Sequence, residues 1–263
     1  MFDANGQTID ETHPDAGAAG RTIELIGPPA SGKTTLALGV AADLQGHDIP
    51  VRLLVSARPG EVPGAPSANG AEGARAFMAS RAAKLADVLF GNARQDPVAD
   101  ALLKLLPIDG SLRELRRRRY LASLAASAGE GLALRDQGYI CAVAGLALDS
   151  GRTDEEILAE ALRLVPLPDI TVRIEVAPSV TRARLEERLS GQGRVYRFLE
   201  RSPDANPGLA SVFDTIEGLL EGSGRRVLRV SGACRDDLEA GVAAIRMVAL
   251  EGSRPFAPGA ATR

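Results

Sequence analysis

The stretch Gly27-Pro28-Pro29-Ala30-Ser31-Gly32-Lys33-Thr34-Thr35 combines residue types and a spacing that can hold a polyphosphate. It has the form G-x-x-x-x-G-K-T, whose two glycines permit backbone angles and a close approach to ligand that side chains would block. The amides of such a loop, with the amino end of the following helix, direct partial positive charge at phosphate oxygens. Lys33 can reach the β- and γ-phosphates, and the Thr34 hydroxyl can hold Mg²⁺. The residues predicted to contact a nucleoside triphosphate, taken to be ATP, are Gly27, Ala30, Ser31, Gly32, Lys33, Thr34 and Thr35.

A later stretch, residues 179–201, places arginines around a glycine-rich turn. Arg184 and Arg188 are four residues apart, so they share one face of the predicted helix. Arg194 follows the turn, whose glycines would allow the segment to close over a γ-phosphoryl group. We expect Arg188 and Arg194 to act in such a lid. The alternative is that these arginines pair with neighbouring glutamates on a solvated helix surface.

Part of this stretch, Leu189-Ser190-Gly191-Gln192-Gly193, is similar to the signature loop of ABC-transporter ATPases. In that family an apolar strand ending in Asp-Glu follows closely, whereas residues 194–201 contain neither the strand nor the pair. The order of elements therefore disfavours an ABC ATPase. A GTPase is disfavoured as well, because none of the three lysines, at 33, 84 and 104, lies in an Asn/Thr-Lys-x-Asp base-reading motif.

Short apolar runs alternating with helical segments must position these residues. The alternation predicts an α/β fold, an open doubly wound parallel sheet of about five strands with helices on both faces and right-handed crossovers. Ligands gather at the carboxyl ends of the strands in such sheets. The predicted strands are 22–26, 51–55, 132–135, 170–176 and 226–230. The predicted helices are 33–44, 73–89, 111–128, 154–164, 179–189, 209–221 and 236–250.

The chain is expected to form one domain, residues 21–251, between two tails. Residues 1–20 and 252–263 are rich in Gly, Ala, Pro and polar residues and are predicted to lack fixed structure. Within the domain, 56–130 is predicted to be an insertion on the side of the phosphate acceptor, and 179–201 the lid-like segment. Candidates for contact with an anionic acceptor are Glu61 and one or two of the four consecutive arginines at 116–119.

Several segments resemble thymidylate kinases. Residues 168–179 are similar to that family's fourth strand, entered through Pro-Asp and left through a Pro-Ser helix start. The arginine-bearing helix, the glycine turn and Tyr196-Arg197-Phe198-Leu199-Glu200 are similar to its lid, and Arg58-Pro59-Gly60 is similar to its Arg-Glu-Pro-Gly. The resemblance spans about residues 21–250 in the order of elements. It implies a nucleotide-kinase-like P-loop NTPase fold and an ATP- and Mg²⁺-dependent kinase.

The chain departs from that family after the third strand. The family has Asp-Arg followed by a Ser-x-x-Ala-Tyr-Gln helix, whereas this chain has Arg135-Asp136-Gln137-Gly138 and then an apolar helix, 141–146. Thymidylate is therefore not assigned as the acceptor. Asp136 ends a buried-looking strand, where an unpaired carboxylate is costly without a cation. We predict that Asp136 and Thr34 fix Mg²⁺ directly or through water; the alternative is that Asp136 caps the following helix.

Composition narrows the class of protein. A net charge of −3 gives no reason to expect nucleic acid as a partner. The amino-terminal residues lack the pattern of a secretory signal, and the longest uncharged apolar run, 139–148, is too short to cross a bilayer. Two isolated cysteines, Cys141 and Cys234, fit a reducing compartment and are expected to be core residues. We therefore expect a soluble cytoplasmic protein without a membrane partner.

These features predict a Mg²⁺-dependent kinase that transfers the γ-phosphoryl of ATP to a nucleotide, nucleoside or other small anionic metabolite. Lys33, Asp136, Arg188 and Arg194 are the predicted catalytic residues. The expected partner is a small-molecule phosphate acceptor, and a homodimer remains open. The alternative is an ATP-binding regulatory or assembly protein that keeps the fold with reduced catalysis.

Overall fold

The computed structural model describes residues 21–55, 96–127, 129, 131–190 and 206–251. In chain order the strands are β1 (Thr22–Ile26), β2 (Val51–Leu54), β3 (Leu132–Arg135), β4 (Ile170–Glu175) and β5 (Val227–Ser231). The helices are α1 (Lys33–Gly46), α2 (Pro97–Leu105), α3 (Ser111–Ala126), α4 (Tyr139–Ser150), α5 (Glu155–Arg163), α6 (Pro178–Ser190), α7 (Asn206–Gly222) and α8 (Arg235–Glu251). The predicted helix 73–89, Glu61, Arg194 and both tails lie outside the described residues.

The five strands form one all-parallel sheet in the order β2-β3-β1-β4-β5. This confirms the predicted α/β class and strand number. Strands β1 and β3 have the predicted bounds, and the other three differ by one residue at one or both ends. The differences follow pairing with neighbours: Val227 to Ser231 of β5, for example, align with Thr171 to Glu175 of β4.

The structure contains two helices, α2 and α4, that the periodicity of the sequence did not predict. Helix α2 begins at Pro97 behind Asp96, whose carboxylate accepts a hydrogen bond from the Val98 amide at 3.0 Å. Helix α4 had only the resemblance to indicate it, because residues 139–147 are buried except at Cys141 and present no polar face. A helix buried on all sides shows no amphipathic period.

Helices cover both faces of the sheet. On one face, α1 and α8 pack on each other and on the strands, around buried residues such as Leu36, Val40 and Ile245. On the other face, α2, α3, α4, α5 and α7 enclose a second apolar cluster that includes Ile140 and Phe213. Within the described part of the chain, no helix has the length and apolar character needed to cross a membrane.

The two faces meet at a crevice between neighbouring strands. After β1 the chain passes to one face as α1, and after the adjacent strand β3 it passes to the opposite face as α4. Connections that leave adjacent parallel strands in opposite directions open a crevice at the carboxyl edge of the sheet, where ligands bind in folds of this kind. The loop 27–32 and Asp136 both lie at this edge.

Candidate functional site

The loop between β1 and α1 has the backbone freedom that its glycines predict. Gly27 and Gly32 adopt φ values of +153° and +99°, which favour glycine. A Cβ atom at Gly27 would lie 3.1 Å from the Ile174 carbonyl oxygen, so β4 also limits this position. Ala30 has a left-handed φ of 63° despite its side chain, a strain of roughly 1 kcal/mol or more. The fold therefore holds this loop in an unusual shape.

Lys33 begins α1 and turns back over the loop. Its ammonium donates hydrogen bonds to the carbonyl oxygens of Gly27 at 2.7 Å and Pro28 at 2.8 Å, and the residue is only 9% exposed. A buried ammonium needs such partners. The group is thus held directly above the loop, where oxygens of a bound phosphate can replace or supplement the carbonyls.

Thr34 and Asp136 meet across the crevice. The Thr34 hydroxyl donates a hydrogen bond to Asp136 Oδ2 at 2.8 Å, although 102 positions separate the residues. Asp136 is 1% exposed, and its amide donates to the Leu54 carbonyl oxygen at the end of β2. The structure therefore brings together the two residues predicted to hold a metal.

The oxygens of Thr34 and Asp136 are of the type that Mg²⁺ prefers. Among the described residues there is no group of three or more His, Cys, Asp or Glu able to hold a metal. Mg²⁺ commonly takes one or two protein ligands and completes its octahedron with water and substrate phosphates. The donor set therefore fits a cation that arrives with a triphosphate better than a permanently bound one.

Glu24 is a site residue that the sequence analysis missed. It lies within β1, is 2% exposed, and accepts hydrogen bonds from the amides of Gly138 at 3.0 Å, Ile140 at 3.3 Å and Cys141 at 2.9 Å. Burial raises the pKa of this carboxyl, while the three amides and the charge of Arg135 act in the opposite direction. Because Glu24 already engages amides at the start of α4, the geometry argues against Asp136 as the cap of that helix.

The loop after β5 forms a second support for the loop 27–32. A Cβ atom at Gly232 would lie 2.6 Å from the Ser31 carbonyl oxygen, which shows how closely the two loops pack. Arg184 of α6 donates to the carbonyl oxygens of Gly232 at 2.8 Å and Ala233 at 2.7 Å. Ser31 is fully buried, and its hydroxyl has no hydrogen-bond partner in the described part of the chain.

The structure describes some of the arginines in residues 179–201 and not others. Arg184 bonds to the loop after β5, as described above; Arg182, which lies on the same helix and was not assigned to the lid, pairs with Glu186 at 3.0 Å on an exposed surface. Arg188 belongs to the last turns of α6, but its side chain, like all of Arg194, lies outside the described residues. The lid assignment of Arg188 and Arg194 therefore stays a prediction.

Two of the four consecutive arginines, Arg117 and Arg118, pair with carboxylates of neighbouring helices. Arg117 pairs with Asp149 of α4 at 2.5 Å. Arg118 pairs with Glu114 at 2.9 Å and also contacts Asp100 of α2. These contacts tie α3 to its neighbours.

The two cysteines lie in different surroundings. The Cys141 thiol donates to the Leu25 carbonyl oxygen at 3.6 Å, and burial raises its pKa, with the nearby charge of Glu24 acting in the same direction. Cys234 is exposed, so its expected place in the core is wrong. It follows the Gly232–Ala233 turn, which lies at the carboxyl edge of the sheet.

The comparisons with known proteins identify no family for this chain. No family model matches the chain, and no match was found among curated proteins.

Proposed function

We propose that this protein is a P-loop kinase that transfers the γ-phosphoryl of ATP, with Mg²⁺, to a nucleotide, nucleoside or other small anionic metabolite. The observation that carries the proposal is the 2.8 Å contact between Thr34 and Asp136 across the crevice, beside the buried ammonium of Lys33. A hydroxyl, a carboxylate and an ammonium at the amino end of a helix provide the contacts that a metal-bound triphosphate requires.

The chemistry of phosphoryl transfer suits such a site. Catalysis requires positioning and neutralisation of charge on the moving group, with no covalent contribution from the protein. In the proposed complex the phosphates are held by the ammonium of Lys33 and by the backbone N–H groups of the loop, which Pro28 and Pro29 lack. Thr34 and Asp136 would hold Mg²⁺, which, when bound, reduces the negative charge between the β- and γ-phosphates. Arg188 and Arg194 are proposed to cover the γ-phosphoryl, as the lid prediction requires.

A second candidate is an ATP-binding regulatory or assembly protein with reduced catalysis. The character of α4 favours it: from Tyr139 to Ala147 the helix is apolar and mostly buried, without the polar side chains that would read a nucleobase. A partner protein captured in the presence of ATP, and absent without it, would support this candidate.

Acceptor-stimulated ADP release distinguishes the two functions. The wild-type protein, Lys33→Ala and Lys104→Ala are titrated with ATP and then assayed against a panel of nucleotides, nucleosides and small anionic metabolites. Lys104 is the control because it is an exposed lysine on α2. We expect Lys33→Ala alone to weaken ATP binding, and one acceptor class to stimulate ADP release. If Lys33→Ala bound ATP as tightly as the wild type, the proposed ATP site would be refuted. If ATP bound but no acceptor stimulated ADP release, the proposed kinase activity would be refuted.

A further inference from the structure

The position of the Asp136 carboxylate depends on a short turn. Strand β3 ends at Arg135 and α4 begins at Tyr139, so only three residues connect them. Any shift of the turn moves Asp136 relative to Thr34. The Asp136 carboxylate accepts a hydrogen bond from the Thr34 hydroxyl at 2.8 Å. What fixes this turn therefore also fixes the proposed metal ligands.

The turn is held from two sides at Gly138. Glu24 accepts from the Gly138 amide at 3.0 Å, and Tyr120 of α3 donates its hydroxyl to the Gly138 carbonyl oxygen at 3.3 Å. Glu24 also holds the amides of Ile140 and Cys141, so the first turn of α4 moves with it. A Cβ atom at Gly138 would collide with the Glu24 carboxylate, so the turn and this side chain are packed closely together.

Glu24 also belongs to the strand that leads into the phosphate-binding loop. It lies three positions before Gly27 and is surrounded in β1 by fully buried apolar residues, Ile23 and Leu25. Strand β1 thus contains Glu24 and leads, through the loop 27–32, into α1, which contains Thr34. Glu24 connects the half of the site that contains Thr34 with the half that contains Asp136.

We propose that Glu24 is a positioning residue, which sets Asp136 at the distance from Thr34 that Mg²⁺-bound triphosphate requires. This inference rests on the proposed function. Glu24 acts through the backbone of the turn, since its three hydrogen bonds are made to amides. Removing the carboxylate should reduce the gain in ATP affinity that Mg²⁺ provides. The affinity of the loop for ATP in the absence of Mg²⁺ should not change.

The test measures ATP affinity by calorimetry in Mg²⁺ and in EDTA, for the wild type, Glu24→Gln and Glu24→Leu. Glutamine keeps one carbonyl oxygen and turns an NH₂ group toward the amides, so it can satisfy only part of the set. Residues that orient metal ligands typically contribute about 10- to 100-fold to metal affinity. We expect a reduction of roughly that size in the Mg²⁺-dependent gain for Glu24→Leu, a smaller one for Glu24→Gln, and near-equal affinities in EDTA. Binding of Mn²⁺ in the presence of ATP, measured by electron paramagnetic resonance, provides a readout independent of turnover.

Three further variants make the result decisive. Glu175→Gln removes an exposed carboxylate from the neighbouring strand β4 and should leave the Mg²⁺-dependent gain unchanged. Gly138→Ala forces the turn and the Glu24 carboxylate apart without changing any charge and should reduce the gain, which covers the case in which Glu24→Leu does not fold. Asp136→Asn should reduce the gain most.

The outcomes separate the two proposals. A wild-type gain that folded Glu24→Gln and Gly138→Ala both retain in full would overturn the positioning role alone. Absence of ATP binding in the wild type would overturn the proposed function and this inference with it.

Discussion

Replacing Gly232 by alanine tests whether the loop after β5 supports the phosphate-binding loop. The new Cβ would lie 2.6 Å from the Ser31 carbonyl oxygen, 2.7 Å from Ile174 Cγ2 and 2.9 Å from Val176 Cγ2. Side chains can move by small rotations, but the Ser31 carbonyl is backbone, so one of the two loops must shift. Such a shift also strains the bonds from Arg184 to Gly232 and Ala233.

The expected destabilisation follows from overpacking. Adding a methyl group to a tightly packed site costs about 1–3 kcal/mol. Taking about 2 kcal/mol, the melting temperature of a domain of this size should fall by roughly 4–8 °C. Because Ser31 belongs to the loop that would hold phosphates, the affinity for ATP should fall as well.

The matched control is the same chemical change at Gly218. This glycine lies inside α7, is exposed, and has no atom within 4 Å of an added Cβ. Alanine in a helix interior is favoured over glycine by about 0.5–1 kcal/mol, so Gly218→Ala should raise the melting temperature. Thermal unfolding by circular dichroism and ATP titration are measured on both variants. If Gly232→Ala melted at or above the wild-type temperature with unchanged ATP affinity, the packing of the two loops would not exist in solution.

Two further predictions concern charged side chains. Arg188→Ala and Arg194→Ala should slow turnover while ATP affinity changes little, because they are proposed to meet charge on the moving phosphoryl group; wild-type rates in both would contradict the lid. Asp237→Asn should be less stable than the wild type at neutral pH, since bonds from Ser231 and Cys234 hold the pKa of Asp237 below its ordinary value of 3.8. That stability is present above pH 3.8 and is lost as the pH falls through the lowered pKa. The two unfolding free energies should therefore converge in acid, and a constant difference across pH would contradict the assignment.

The strands were predictable because each one is a short, largely apolar run; the inner strands β1, β3 and β4 are mostly buried, and the edge strands β2 and β5 only partly. Their ends were not, since pairing rather than composition decides where β2, β4 and β5 stop. Helix α2 was missed although Asp96-Pro97 is a recognisable start signal, a capping carboxylate before proline. Helix α4 has no polar face, so periodicity could not reveal it.

The residues of the candidate site likewise fall into those that the sequence predicted and those that it could not predict. The loop 27–34 could be found because its chemistry is local: the glycines, Lys33 and Thr34 are adjacent in sequence. Asp136 could be found from its place at the end of a strand. Glu24 could not, because its partners lie 114 to 117 positions away and a lone glutamate in an apolar strand carries no local sign of them. The contacts of Arg184 could not be predicted for the same reason, since the carbonyls it binds are 48 and 49 positions distant.

The balance of charge in the crevice gives a physical reason for the lid arginines. Of the residues that the structure describes, four place buried charged groups there: the carboxylates of Glu24 and Asp136, the ammonium of Lys33 and the guanidinium of Arg135. Their formal charges cancel, whereas ATP brings more negative charge than one Mg²⁺ removes. The loop amides supply only partial positive charge. In the proposed complex, therefore, the charge on the γ-phosphoryl has to be met by cations from outside this buried set, and arginine is suited to that because it stays ionised when desolvated. Since this need is greatest as the phosphoryl group moves, loss of Arg188 or Arg194 should affect turnover more than binding.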